Sequence, residues 1–206
     1  MNPRELFPSD KFKALLFDCD GTIAHSMPIH LRAWNQALQP WGAILSEEDH
    51  DKYAGVPTPR IVEILNEAHS LTMPVEQVTH EKEEAYFRLM PEIKAVPDVF
   101  KTIEAFTGVL PMAVVSGSPH NSLVKTLKHL GLLESFGAVL GSDNYPKGKP
   151  APDGYLMAAR QLGVAPSQCL VFEDAALGIE AARAAGMKWV RVIPAQGGFD
   201  LTHSDF

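Results

Sequence analysis

The chemistry of this chain is concentrated in a few residues, and the first are two aspartates one residue apart. Asp18 and Asp20 stand in Phe17-Asp18-Cys19-Asp20-Gly21-Thr22, directly after the apolar run Lys13–Phe17. On extended chain their side chains project to the same side, with Cys19 opposite, and Gly21 allows a sharp turn immediately afterwards. Alone, an Asp-Gly pair reads equally well as a turn. Packed carboxylates repel unless a cation sits among them, and hard oxygen ligands beside a phosphate suit Mg²⁺. One carboxylate can then attack phosphorus to form an aspartyl phosphate. The second, its pKa expected to be raised by its charged neighbour, can protonate the leaving oxygen and later activate water.

Other polar groups follow later apolar runs. Ser116-Gly117-Ser118 follows Leu110–Val115, Lys149 precedes Pro150, and Glu173-Asp174 follows Cys169–Phe172. Ser116 and Lys149 are candidates to hold transferring phosphoryl oxygens, because phosphoryl transfer depends mainly on positioning and charge stabilisation. Gly117 and Ser118 belong to the same candidate phosphate loop, although the two hydroxyls also read as helix caps ahead of His120. Asp18, the Asp20 carbonyl and Asp174 are candidate metal oxygens. Glu173 either joins them through water or orders Asp174. Lys147 reads as solvated surface.

These residues share one edge only if the runs that carry them are neighbouring strands. Lys13–Phe17, Leu110–Val115, Ala138–Leu140, Cys169–Phe172 and Trp189–Ile193 read as buried strands. Helical patterns separate the later ones, with Gly108, Gly131, Gly163 and Gly186 where C-terminal glycines belong. Strand alternating with helix predicts an α/β fold built on a doubly wound parallel sheet, whose ligands bind beyond the carboxyl ends of the strands. Between the first two strands the pattern is helical four times over: Ile29–Leu38, a helix capped by Ser46, one opened by Thr58-Pro59, and Val75–Met90. That is too much for a crossover, so residues 26–92 are expected to form an inserted four-helix cap on a core of residues 1–25 and 93–206.

Composition narrows the class. The chain has 206 residues, awkward for either one domain or two, with 46% hydrophobic and 21% charged residues and a net charge of −7. An acidic balance demotes nucleic-acid binding. Two cysteines, Cys19 and Cys169, give neither a disulfide framework nor a zinc cluster. Met1–Lys13 lacks the apolar core of a signal peptide, and no run approaches the ~18 residues of a membrane helix. A soluble, cytoplasmic protein without membrane or nucleic-acid partners is expected, as a monomer or at most a dimer.

Four segments in order carry a family resemblance. Asp18-Cys19-Asp20-Gly21-Thr22 resembles the first motif of the haloacid dehalogenase superfamily, and Val115-Ser116-Gly117-Ser118 the second. Lys149-Pro150-Ala151-Pro152-Asp153 resembles the third, and Phe172-Glu173-Asp174 through Ile179 the fourth. The resemblance spans nearly the whole chain. It implies Asp18 as nucleophile, Asp20 as acid/base, Mg²⁺ on Asp18, Asp20 and Asp174, and phosphate on Ser116 and Lys149. A helical cap after the first motif marks the family's first subgroup. Within it the chain is similar to the β-phosphoglucomutase-like sugar phosphatases, including those acting on fructose 1-phosphate or 6-phosphogluconate. That likeness rests on His30-Leu31-Arg32-Ala33-Trp34, on Gly55–Leu65, and on Lys82 at a cap lysine position. It makes His30, Arg60 and Lys82 candidate substrate contacts, His30 reading otherwise as a packed hinge histidine.

Two departures bear on function. His25 stands where relatives carry an aspartate near the cap hinge. The mutases also carry an arginine soon after the Gly-Val pair, whereas here Gly55-Val56 leads into Pro57-Thr58-Pro59 and only then Arg60. The displacement favours hydrolysis of a small phosphate ester over a phosphomutase, which must hold a second phosphate. A phospho-aspartate receiver module would lack both Asp20 and the cap. His50, His69, His80, His129 and His203 read as surface, Cys19 as packed behind the first strand, and Trp34 and Trp41 as cap core.

Overall fold

A computed structural model describes residues 2–53 and 56–206. A single helical turn, α1 (Pro3–Leu6), precedes β1 (Ala14–Phe17). Then come α2 (Met27–Leu38), α3 (Glu47–Lys52), α4 (Thr58–His69) and α5 (Val75–Leu89). The alternating part follows as α6 (Pro97–Phe106), β2 (Met112–Val115), α7 (His120–His129), β3 (Ala138–Leu140), α8 (Asp153–Leu162), β4 (Cys169–Glu173), α9 (Ala176–Ala184) and β5 (Lys188–Ile193). The chain ends in β6 (Gly198–Asp205).

The strands form one sheet in the order β3-β2-β1-β4-β5-β6. The first five are parallel, with β1 central and paired to both β2 and β4. β6 is an antiparallel edge on β5, so the sheet is not purely parallel. The apolar-run reading missed β6 because Asp200, Thr202, His203 and Asp205 break up its apolar residues and half of it faces water. Burial on both faces explains why β1, β2 and β4 are wholly buried. Leu15, Phe17, Leu170 and Phe172 pack with α6 and α7 on one face, while Leu16, Ala113 and Val171 pack with α8 and α9 on the other. Phe17 and Phe172 stack at 4.6 Å across β1 and β4.

Of the five helices between β1 and β2, α2 to α5 form a layer over the carboxyl end of the sheet, with apolar residues of their own at its centre. Trp34, Leu38, Ile61, Val62, Leu65, Met73 and Val78 cluster there, and Trp41 packs against them. The inner side of the layer, Ile29, Ala33, Ala85 and Tyr86, joins the cluster beneath it on the sheet. Among the described residues no helix is long and apolar enough to cross a membrane. Both cysteines are buried and unpaired.

Candidate active site

The floor of the site is the carboxyl end of β1 and β4. The Asp18 amide donates to Phe172 O at 3.0 Å, which carries the aspartate just beyond the sheet. Lys149 Nζ donates to Asp18 Oδ1 at 2.6 Å and, closer still, to Glu173 Oε1. Glu173 also accepts from Tyr155 OH at 3.1 Å and from the Ala175 amide at 2.9 Å. Both its oxygens are therefore engaged, and it orders Lys149 rather than Asp174. Asp174 accepts from Thr22 Oγ1 at 2.8 Å. Two glycines make the crowding possible. A Cβ on Gly21, whose φ is +93°, would lie 2.2 Å from Asp174 Oδ2, and one on Gly178 would lie 1.6 Å from Glu173 Oε1.

Asp18, Glu173 and Asp174 each offer one oxygen, all within 4.8 Å of one another. Burial, then the neighbouring carboxylates, pushes the Asp18 carboxyl well above its ordinary range against the opposing pull of Lys149. Burial and Glu173 raise Asp174 to about 7. Burial alone would discharge Lys149, yet Asp18 and Glu173 outweigh it and hold the ammonium charged. Such a set of hard, mutually repelling oxygens fits a divalent cation, whose charge would reverse the upward push on the carboxyls.

Asp20 stands apart from that set. Its Oδ1 accepts from Ser26 Oγ at 2.7 Å and meets His30 Nε2 at 3.0 Å, while Oδ2 accepts from Ser118 Oγ at 2.8 Å and Ser116 Oγ at 3.3 Å. Burial pushes its pKa up, but His30 and the hydroxyl donors overcome this and hold the carboxyl well below the ordinary range. The expectation of a raised Asp20 pKa is corrected here, since donors to the charged form outweigh the repulsion. Its carboxylate is also absent from the three-oxygen cluster. Ser26 leaves the start of α2 without a side-chain cap because its hydroxyl serves Asp20.

Ser116 and Ser118 do not cap α7 either. Ser116 Oγ accepts the Ser118 amide at 3.0 Å, and Tyr145 OH donates to Ser116 O at 2.7 Å, so the loop is clamped from both sides. Gly117 and Ser118, with Asp18, Asp20, Lys149 and Glu173, line a cavity of about 60 Å³. Residues between β1 and β2 roof it, among them His30, Trp34, His50, Tyr53, Thr58 and Lys82. Lys82 is 3% exposed, its ammonium 2.9 Å from Glu83 and over the Trp34 and Tyr86 rings. His30 stacks on Tyr86 at 4.2 Å. Trp34 thus packs in the apolar centre of the helical layer and also walls the cavity.

Arg60 is not brought to the site. Thr58 and Ile61 face inward, and two residues past Thr58 the helix has turned by roughly 200°. The Arg60 guanidinium lies outside, 2.8 Å from Glu63. Gly55 lies outside the described residues. His50, read from the sequence as surface, is buried in the cavity roof, and burial with the nearby positive charges lowers its pKa to about 4. Thr22 enters the sequence reading only as the last residue of the first motif, and Tyr155, Ser26 and Glu83 are not among its candidate site residues. Cys19 packs in the core as expected, its thiol pushed up by burial.

Comparison with known proteins agrees with this arrangement. The family model for haloacid dehalogenase-like hydrolases matches residues 12–186. The fructose-1-phosphate phosphatase YqaB of Escherichia coli (strain K12) is 38% identical over 184 residues, 89% of this chain and 97% of that protein. A phosphorylated carbohydrates phosphatase of Thermotoga maritima is 28% identical over 180 residues, 85% of this chain and 82% of its own. The crystal structure of β-phosphoglucomutase from Clostridium difficile superposes with a TM-score of 0.80 at 24% identity, covering 87% of this chain and 84% of the other, a likeness of fold. The chain belongs to the haloacid dehalogenase-like hydrolases and is a phosphatase of that family.

Proposed function

We propose that this enzyme is a Mg²⁺-dependent phosphomonoesterase that hydrolyses a small phosphorylated sugar, or a related metabolite, through phospho-Asp18. The observation that carries this reading is the convergence of Asp18, Lys149 and Glu173 with the Gly117-Ser118 loop on one cavity, with an Asp174 oxygen within 4.8 Å of Asp18 and Glu173. Asp18, the Asp20 carbonyl and Asp174 would hold the ion. Bound there, Mg²⁺ would neutralise charge on the phosphoryl oxygens and on the carboxylates around them. Residues 26–92 act as the cap that excludes water during the first step.

Asp18 attacks phosphorus, and the ester P–O bond breaks with its electron pair on the leaving oxygen. Asp20 gives that oxygen its proton. His30 Nε2 lies 3.0 Å from Asp20 Oδ1 and orients that carboxyl. Water then loses a proton to Asp20 and attacks the phosphoryl group, releasing phosphate and restoring Asp18. Lys149 holds phosphoryl charge throughout, and Glu173 and Tyr155 hold Lys149. The phosphatases of phosphorylated sugars among the relatives support a sugar phosphate as substrate, and the outward Arg60 disfavours a mutase that must grip a second phosphate.

Phosphate release from a panel of phosphorylated metabolites, with Mg²⁺ and with chelator, tests the proposal. Release from sugar monophosphates that disappears with chelator and in Asp18→Asn is expected. Undiminished turnover by Asp18→Asn, or a clear preference for nucleotides, would overturn it.

A further inference from the structure

A row of polar contacts joins α5 and the segment that follows it to α7 of the sheet layer. His129 Nε2 meets Ile93 O at 3.1 Å beside the return to the sheet. One turn further, Thr126 Oγ1 and Tyr86 OH lie 2.8 Å apart. Thr126 already donates its one hydroxyl proton to Ser122 O at 3.1 Å, so Tyr86 is the donor. At the cavity end, Ser122 Oγ donates to Glu83 Oε2 at 2.5 Å. Positions 122, 126 and 129 share one helix face, and the row runs from the hinge side to the cavity.

Its last member has a second task. Glu83 Oε1 accepts from Lys82 Nζ at 2.9 Å, and Lys82 is the lysine of the cavity roof. Burial raises Glu83, but Lys82 and Ser122 hold it below its ordinary range, so it is ionised beside the ammonium. The lysine that lines the cavity is therefore neutralised by a carboxylate that does not line it. The Lys82 ammonium has three donors and gives one to Glu83, which leaves the others for neutral acceptors such as sugar hydroxyls.

We propose that Glu83, held by Ser122, determines substrate class. By neutralising Lys82 it admits leaving groups with uncharged hydroxyls and rejects those carrying a second anionic group. The inference rests on the phosphomonoesterase reading and names its substrate class: monophosphates whose leaving group is neutral. Glu83 acts through Lys82, as a positioning and charge-setting residue.

The test compares kcat/KM for fructose 1-phosphate and fructose 1,6-bisphosphate in wild type, Glu83→Gln, Lys82→Met, Ser122→Ala and the Glu83→Gln/Lys82→Met double variant. Wild type favours the monophosphate. Glu83→Gln, nearly isosteric, uncovers the ammonium and moves the ratio toward the bisphosphate by about tenfold or more. Lys82→Met leaves an unpaired carboxylate and moves the ratio the other way. Ser122→Ala moves it as Glu83→Gln does, by a smaller factor, and carries the test alone if Glu83→Gln fails to fold. A merely structural role would slow both substrates equally. A ratio unmoved within about twofold, or a Glu83→Gln shift that persists without Lys82, overturns the inference while leaving the phosphatase reading intact. Absence of turnover of any phosphate ester by the wild type would overturn that reading, and this inference with it.

Discussion

One methyl group at position 178 separates two opposed expectations. Gly178 lies in the first turn of α9, and by helix propensity Gly→Ala inside a helix gains up to about 1 kcal/mol. The packing predicts the reverse, because the new Cβ would stand 1.6 Å from Glu173 Oε1 and 2.0 Å from its Cδ. Glu173 is fully buried and held by Lys149, Tyr155 and the Ala175 amide, so it cannot step aside without abandoning partners. Overpacking costs roughly 1–3 kcal/mol, and breaking a buried ion pair about 3–5 kcal/mol. Net of the propensity gain, Gly178→Ala loses about 3 kcal/mol or more, which lowers Tm by roughly 6–12 °C for a chain of this size. The assay is thermal and urea unfolding of four proteins: wild type, Gly178→Ala, Glu173→Ala and the double variant. With Glu173 truncated the methyl has room, so Gly178→Ala is expected to be neutral or stabilising in that background. Gly148→Ala serves as control, since its Cβ meets nothing closer than 3.9 Å, and is expected within about 0.5 kcal/mol of wild type. A Gly178→Ala protein that melts higher than wild type, or that loses equally in both backgrounds, would refute the packing argument.

Further outcomes follow from the same geometry. Arg60→Ala should change kcat/KM by less than about twofold, because its exposed pairs with Glu63 and Glu67 lie off the cavity; steady-state kinetics check this. His50 binds its proton less readily folded, at about 4, than unfolded, near 6.5. The unfolded state therefore binds more protons in that window, and stability is full above pH 6.5 and lost as the pH falls toward 4. The loss is at most about 3 kcal/mol, and urea titrations at several pH values should show a flatter profile for His50→Gln. Mg²⁺ at about a hundred times its Kd should raise Tm by roughly 5–10 °C, a shift that calorimetry should find abolished in Asp174→Asn.

The floor of the site was legible in the sequence because the carboxyl end of a buried strand is marked by where its apolar run stops. Phe17, Val115 and Phe172 end such runs, and Asp18, Ser116 and Glu173-Asp174 come at or just past those ends. The roof was less legible. Whether Arg60 or Thr58 faces inward depends on the phase of α4, and a shift of two residues turns a side chain to the opposite face. His50 looked like surface because four acidic neighbours, Glu47, Glu48, Asp49 and Asp51, flank it in sequence, yet a six-residue helix still has an inner side. The proton affinity of Asp20 was misjudged for a related reason. Its charged neighbours are visible in the sequence, but its donors come from Ser26, His30, Ser116 and Ser118, which only the fold brings together. The β6 edge was hidden by its own polarity.

The central place of β1 also has a bearing on how the chain acquires its structure. Leu15 pairs with Met112 on one side and Leu170 on the other, and the whole cap is translated before the nearer partner exists. At about 5–20 residues per second, β1 once made waits roughly 5–20 s for β2 and longer for β4. The helices of the layer pack chiefly on one another, α2 against α5, and need no strand beyond β1 to be complete, so they are suited to form during that interval. The entropic penalty of so long a loop grows only by about 0.6 kcal/mol per doubling. The hazard of the insertion is kinetic: through that interval Ala14–Phe17 stays unpaired and able to associate with other chains.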